Sequence, residues 1–160
     1  MEKTNVMRIL DKNKIKYKEY CYVGTDAISG IDVATVLGQN PKQVFKTLVT
    51  TSKSGKHYVF MLPVEEELDL KKAAKAVNEK SIEMLKLKEL LPLAGYIHGG
   101  CSPIGMKKFF DTVIHQTAKE FDTIIFSGGK IRYQVELSIV DLEKIIPFKL
   151  EDIIVIKNTD

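Results

Sequence analysis

An α+β domain is expected of this chain, built on a mixed, largely antiparallel sheet of six to seven short strands that curls or closes into a barrel and is surrounded by helices. Short β-rich runs alternate with amphipathic helical stretches along the whole chain. Several neighbouring runs lie at hairpin spacing, which favours antiparallel pairing. The glycine pairs lack the strand, loop and helix context of a dinucleotide fold or a P-loop, so a doubly wound nucleotide-binding architecture is not expected.

Each element follows from local chemistry. Thr4 caps a first helix with Val6, Ile9 and Leu10 on one face, and residues 14–23 alternate as a strand. Residues 31–37 form a second helix closed by Gly38, because glycine takes the left-handed position after a helix without steric cost. Asn40-Pro41 then turns the chain into a strand over 44–51, which pairs with 58–62 across Ser52-Lys53-Ser54-Gly55-Lys56. Asp69 caps a helix through Ala73, Ala74 and Val77, and a further segment over 85–91 stops at Pro92. A short buried strand is expected at 95–98, followed by strands at 113–115, 123–126 and 131–137, the last two joined by Ser127-Gly128-Gly129-Lys130. Ser138 caps a helix through Leu142 and Ile146 that Pro147 ends, and 153–156 adds a terminal strand.

With 160 residues, 44% hydrophobic and 28% charged, the chain suits one soluble globular domain spanning 1–160. No apolar run approaches the roughly 18 residues that cross a bilayer, and the N-terminal residues lack a secretory pattern, so a cytoplasmic location is expected. Cys21 and Cys101 read as free thiols, no Cys or His pair has zinc spacing, and neither metal nor cofactor is expected. A net charge of +3 permits a polyanionic partner without requiring one. Lys71, Lys72, Lys75, Lys107 and Lys108 read from composition as solvated surface.

Two stretches carry candidate chemistry. Lys46 sits between Phe45 and Thr47, so strand alternation puts its side chain on the face opposite theirs; it is either a solvated lysine or an ammonium for a phosphate or ribose oxygen. Gly99 and Gly100 precede Cys101-Ser102-Pro103, and successive glycines form either a tight turn or a loop whose N–H groups approach a ligand oxygen. Cys101 is either a thiol nucleophile served by His98 or His115, or a small buried hydrophobe. Tyr20 fills core or stacks on a base, while Ser127 and the strand residues Gln134 and Glu136 add polar groups.

Asn40-Pro41 through Val44-Phe45-Lys46-Thr47-Leu48, then Leu68-Asp69-Leu70-Lys71-Lys72-Ala73-Ala74, Gly95 through Gly105 and Ser127-Gly128-Gly129-Lys130 together resemble the YbaK/EbsC-type Cys-tRNA(Pro) deacylases of the prolyl-tRNA editing-domain family. The resemblance covers nearly the whole chain. It implies a free-standing editing domain that cleaves the ester of mischarged aminoacyl-tRNA without metal, the substrate cysteine supplying its own thiol. Size alone separates cysteine from proline weakly, by about 1–3 kcal/mol, so a second site has a physical reason to exist. By the same resemblance Lys46, Gly99 and Gly100 are catalytic and Tyr20, Thr47, Cys101, Ser102, Ser127 and Gln134 surround the substrate. The partners implied are aminoacyl-tRNA and a prolyl-tRNA synthetase that presents it. Ser29 replaces an aromatic wall and Gln134 an acid in that pattern, which keeps Ala-tRNA(Pro), another small aminoacyl-tRNA, or a non-catalytic tRNA- or synthetase-binding role open as alternatives.

Overall fold

The computed structural model describes residues 2–25, 27 and 29–157. In chain order the elements are α1 (Asn5–Lys12), β1 (Lys18–Cys21), α2 (Gly30–Val36), β2 (Phe45–Ser52), β3 (His57–Pro63), α3 (Leu70–Ala76), β4 (Ile82–Met84), α4 (Leu87–Ala94), β5 (Thr112–His115), a 3₁₀ turn (Gln116–Glu120), β6 (Ile124–Ser127), β7 (Tyr133–Leu137), α5 (Ile139–Leu142) and β8 (Lys149–Glu151). The three predicted N-caps are present: Thr4 accepts from Met7 N–H, Asp69 from the N–H groups of Lys71 and Lys72, and Ser138 from Asp141 N–H. The structure adds a fourth, Ser29, which accepts from Asp32 N–H.

The strands form two sheets rather than one. β1, β7 and β6 make an antiparallel three-stranded sheet in the order β1-β7-β6. The other sheet runs β4-β2-β3-β5-β8, antiparallel through β4, β2 and β3 and parallel from β3 to β5 and β5 to β8. The expectation of six to seven strands in a curled or closed barrel is therefore corrected to eight strands in two sheets, with no closed barrel among the described residues. The physical reason is local. β2 and β6 approach in parallel at one isolated bridge, Val44 to Ile125, where Ile125 N–H donates to Gln43 O at 3.0 Å, and no continuous ladder follows.

Four further expectations change. Residues 95–98 are irregular, because Gly95 ends α4 in the left-handed conformation and sends the chain into a loop. α4 continues through Pro92 to Ala94: proline removes one intrahelical donor, yet the next turn still closes through Gly95 N–H to Leu91 O at 2.9 Å. The last strand lies at Lys149–Glu151 instead of 153–156, where Ile154 makes only an isolated bridge to Leu68. The helix after Ser138 is four residues long and passes into turns before Pro147. β4 was not expected at all, since three residues carry too little periodicity to announce a strand.

β3 is buried almost throughout because both faces of its sheet are covered. On one face Met7 and Leu10 of α1 pack with Phe45, Met61, Ile114, Phe126 and Leu137. On the other, Ala73 and Ala74 of α3 pack with Phe60, Leu62, Val113 and Ile153. A smaller cluster joins Val49, Val59 and Cys101 to Leu90 and Leu93 of α4. Lys71 and Lys75 are exposed as expected, but Lys72 is tied to Asp152 at 3.0 Å and to Ile154 O at 2.9 Å.

Candidate active site

Beyond the Val44–Ile125 bridge β2 and β6 are not paired, and a cavity of about 390 Å³ opens there, within the size range of small-molecule sites. β2 supplies Phe45 to Val49; β6 and β7 supply Phe126, Ser127, Tyr133 and Gln134; the loop after α4 supplies His98, Gly99 and Cys101. Ser29 and Gly30 at the start of α2, with Met84, Leu87 and Leu90, are also part of the walls.

The hydrogen-bond register explains what β2 offers. Val64 N–H donates to Val44 O and Ser52 N–H to Lys56 O, both at 2.8 Å, so the even-numbered residues between Val44 and Ser52 turn their backbone groups toward β3. Thr47 and Val49 turn theirs the other way. Leu85 N–H takes the Val49 carbonyl at 3.2 Å, but the β4 pairing starts only at Thr50, so the Thr47 edge is left uncovered. The Thr47 hydroxyl is also buried with no hydrogen-bond partner among the described residues. Leaving such a group unpaired costs about 1–3 kcal/mol, and this cost falls at the cavity wall, where a ligand relieves it.

Lys46 lies on the opposite side of the strand, as alternation requires, and its half-buried amine donates to Glu66 O at 2.6 Å. Burial lowers the pKa of this ammonium, Glu67 opposes that shift, and Lys157 adds to it. An ammonium has three donors, so this contact orients Lys46 and leaves two for another acceptor.

The glycine pair divides its work. Gly99 has φ +87°, a conformation that larger residues rarely adopt, and it lines the cavity. Gly100 lies outside the cavity lining, and its N–H is taken by Ile97 O at 3.0 Å, which corrects the expectation of a free donor there. Its requirement is steric: a Cβ would stand 3.1 Å from Ile131 N and 3.3 Å from Lys130 C, so glycine lets this loop touch the backbone of the β6–β7 turn.

Three other expected contacts stand apart from the cavity or are reduced by it. Tyr20 is outside the lining; its hydroxyl donates to Glu136 Oε1 at 2.5 Å, and that bond, with burial, pushes its pKa up to about 12. Ser102 is fully buried and its hydroxyl accepts from Ile104 N–H at 3.3 Å. Ser127 lines the cavity while its hydroxyl accepts from Gly129 N–H at 3.1 Å.

Cys101 lines the cavity but is 8% exposed, and burial pushes its thiol up to about 12, so thiolate is scarce near neutrality. His98 is exposed; His115 is buried at the end of β5, where its Nδ1 accepts from Ile153 N–H at 3.3 Å. Cys101→Ser is expected to lose about 1–2 kcal/mol of stability because a hydroxyl replaces a thiol in an apolar setting. A thermal melt of the variant checks it. The walls from β4 and α4 escaped sequence reading, although Met84 and Leu87, at 45% and 67% exposed, are large apolar side chains left at the surface.

Among the described residues no three His, Cys, Asp or Glu side chains gather as a metal-ligand set, and no helix is long and apolar enough to cross a membrane.

The two sheets of this α+β domain part around a cavity lined by the small-residue loop and by Lys46. The model of the aminoacyl-tRNA editing domain family matches residues 27–145, and the chain belongs to that family. A relative from Enterococcus faecalis, named "Putative Cys-tRNA(Pro)/Cys-tRNA(Cys) deacylase EbsC", is 46% identical over 138 residues, covering 86% of this chain and 84% of the relative. The fold is shared with the crystal structure of hypothetical protein APE2540, with a TM-score of 0.85 at 16% identity over 95% of this chain and 100% of that one. It is also shared with a crystal structure described as "a putative trans-editing enzyme for prolyl tRNA synthetase", with a TM-score of 0.80 at 19% identity over 95% and 98% of the two chains.

Proposed function

We propose that this chain is a single-domain trans-editing deacylase that cleaves the ester of mischarged aminoacyl-tRNA, with Cys-tRNA(Pro) as its substrate. Family membership and the 46% identical relative support the activity and the substrate class. The observation that carries the reading within the site is the pairing, on one strand at the cleft, of a held ammonium at Lys46 with an unpartnered hydroxyl at Thr47.

Lys46 binds a phosphate or ribose oxygen of the terminal adenosine, a task suited to a compact charge with donors to spare. The Thr47 hydroxyl and the outward backbone of that residue, with Gly99 opposite, hold the aminoacyl ester. The substrate thiol attacks the ester carbonyl: a sulfur–carbon bond forms, the carbon–oxygen bond to the ribose breaks, and the thiol proton ends on the ribose oxygen. The protein then contributes positioning and electrostatics in place of a nucleophile of its own, in keeping with the desolvated Cys101. Tyr20 and Ser102 support the walls from outside the cavity. A cytoplasmic setting and presentation of the tRNA by a prolyl-tRNA synthetase complete the reading.

The test is a panel of tRNA(Pro) charged with cysteine, alanine or proline. Cleavage fastest on the cysteinyl ester supports the proposal; faster cleavage of the alanyl ester moves the specificity to alanine. No cleavage above the enzyme-free rate on any of the three overturns it in favour of a binding role.

A further inference from the structure

Gln134 is 6% exposed, lines the cavity from β7, and sits directly across the ladder from Ser127. One end of its amide is held from behind. Gln39, in the connection after α2, donates from Nε2 to Gln134 Oε1 at 2.8 Å. Gln134 Nε2 makes no hydrogen bond among the described residues, and Gln39 Oε1 is buried without a partner among them. Buried amides are ordinarily satisfied at both ends, so a pair with one free atom on each member is unusual.

The two free atoms have a consequence. If both amides turn over together, Gln134 Nε2 donates to Gln39 Oε1, the bond between them survives, and no other hydrogen bond among the described residues is broken. The cavity then meets a carbonyl oxygen in place of an NH₂ group. The wall is neutral in both arrangements.

We infer that Gln39 and Gln134 form a paired-amide reader for an uncharged aminoacyl side chain that ends in a group both donating and accepting hydrogen bonds, a thiol or a hydroxyl. Gln134 touches that group, and Gln39 is a positioning residue that acts through it. A methyl group in the same place leaves the amide of Gln134 without a partner, so the pair disfavours an alanyl group. This rests on the deacylase reading for the identity of the ligand and extends it to the choice of side chain.

Stable amide analogues test it apart from the chemistry. The probes are adenosines carrying cysteine, serine or alanine through a 3′-amino group, with Kd measured by calorimetry. The wild type is expected to bind the cysteinyl and seryl probes about tenfold more tightly than the alanyl probe, the order of one hydrogen bond. Gln39→Leu and Gln134→Leu each reduce that ratio to within about twofold by weakening the cysteinyl and seryl probes. Gln39→Glu, which only accepts and so turns the Gln134 carbonyl toward the cavity, preserves the preference and serves if the leucine variant does not fold. An unchanged ratio in Gln39→Leu, an equal loss on all three probes, or no preference in the wild type overturns the inference. Deacylation of charged tRNA by the wild type is scored separately: turnover with an unchanged ratio sinks the reader alone, and an intact ratio without turnover sinks the deacylase reading alone.

Discussion

Lys46→Ala is expected to lower kcat/KM for the cysteinyl ester of tRNA(Pro) about 100-fold, the effect of losing a charge-assisted contact of about 1.5–3 kcal/mol. The amine is already oriented by the Glu66 carbonyl, so little ordering is left for the substrate to impose. Lys46→Arg is not expected to restore the rate, since a planar guanidinium places its donors differently from an ammonium. The pH dependence has a definite sign. Burial depresses the folded pKa, so the ammonium loses its proton at a lower pH than a free lysine, and activity that needs the charge declines on the alkaline side sooner. The same shift means that the unfolded chain holds this proton more tightly than the folded one. Charged Lys46 therefore lowers stability below its folded pKa, and that cost disappears as pH rises past the unfolded pKa. Lys46→Met is accordingly expected to melt no lower than the wild type at neutral pH. Equal kcat/KM for the wild type and Lys46→Ala, measured against the enzyme-free rate, removes the lysine from the mechanism.

Phe126→Ala costs about 3–5 kcal/mol of folding stability, the range for truncating a buried aromatic side chain. Phe126 is 1% exposed and packs into the cluster that joins α1 to both sheets, including Met7, Phe45 and Met61. It also lines the cavity. A domain of this size shifts its Tm by about 2–4 °C per kcal/mol, so a fall of roughly 10 °C is expected in a thermal melt. A fall of less than about 2 °C means that the cluster collapses around the deletion and that the cavity is not braced from this side.

The helix starts were legible because a cap is a contact within three residues. Thr4, Ser138 and Asp69 each signal a helix that the structure contains, since the oxygen that accepts the orphan N–H lies in the same stretch of chain. The β2–β3 hairpin was legible for a similar reason, its turn residues lying between two apolar runs. The strands that failed were the short ones. β4 and β8 are held by neighbours distant in sequence, and nothing in their own three residues separates them from loop. Gly100 shows the same limit within the site: its composition suggested an amide for a ligand, whereas the approach of the Lys130–Ile131 backbone explains why glycine stands there.

Residue order alone specified the helix and hairpin units, the face of β2 on which Lys46 lies, and the small-residue loop at Gly99, because propensity, alternation and turn chemistry act over a few neighbours. Tertiary structure decided the rest: that eight strands split into two sheets touching at Val44 and Ile125, that Thr47 keeps an uncovered edge, and that Gln39 stands behind Gln134. These are contacts between segments far apart in the chain, 95 residues in the case of Gln39 and Gln134. Which polar groups are satisfied and which face the cavity depends on where packing brings such segments together.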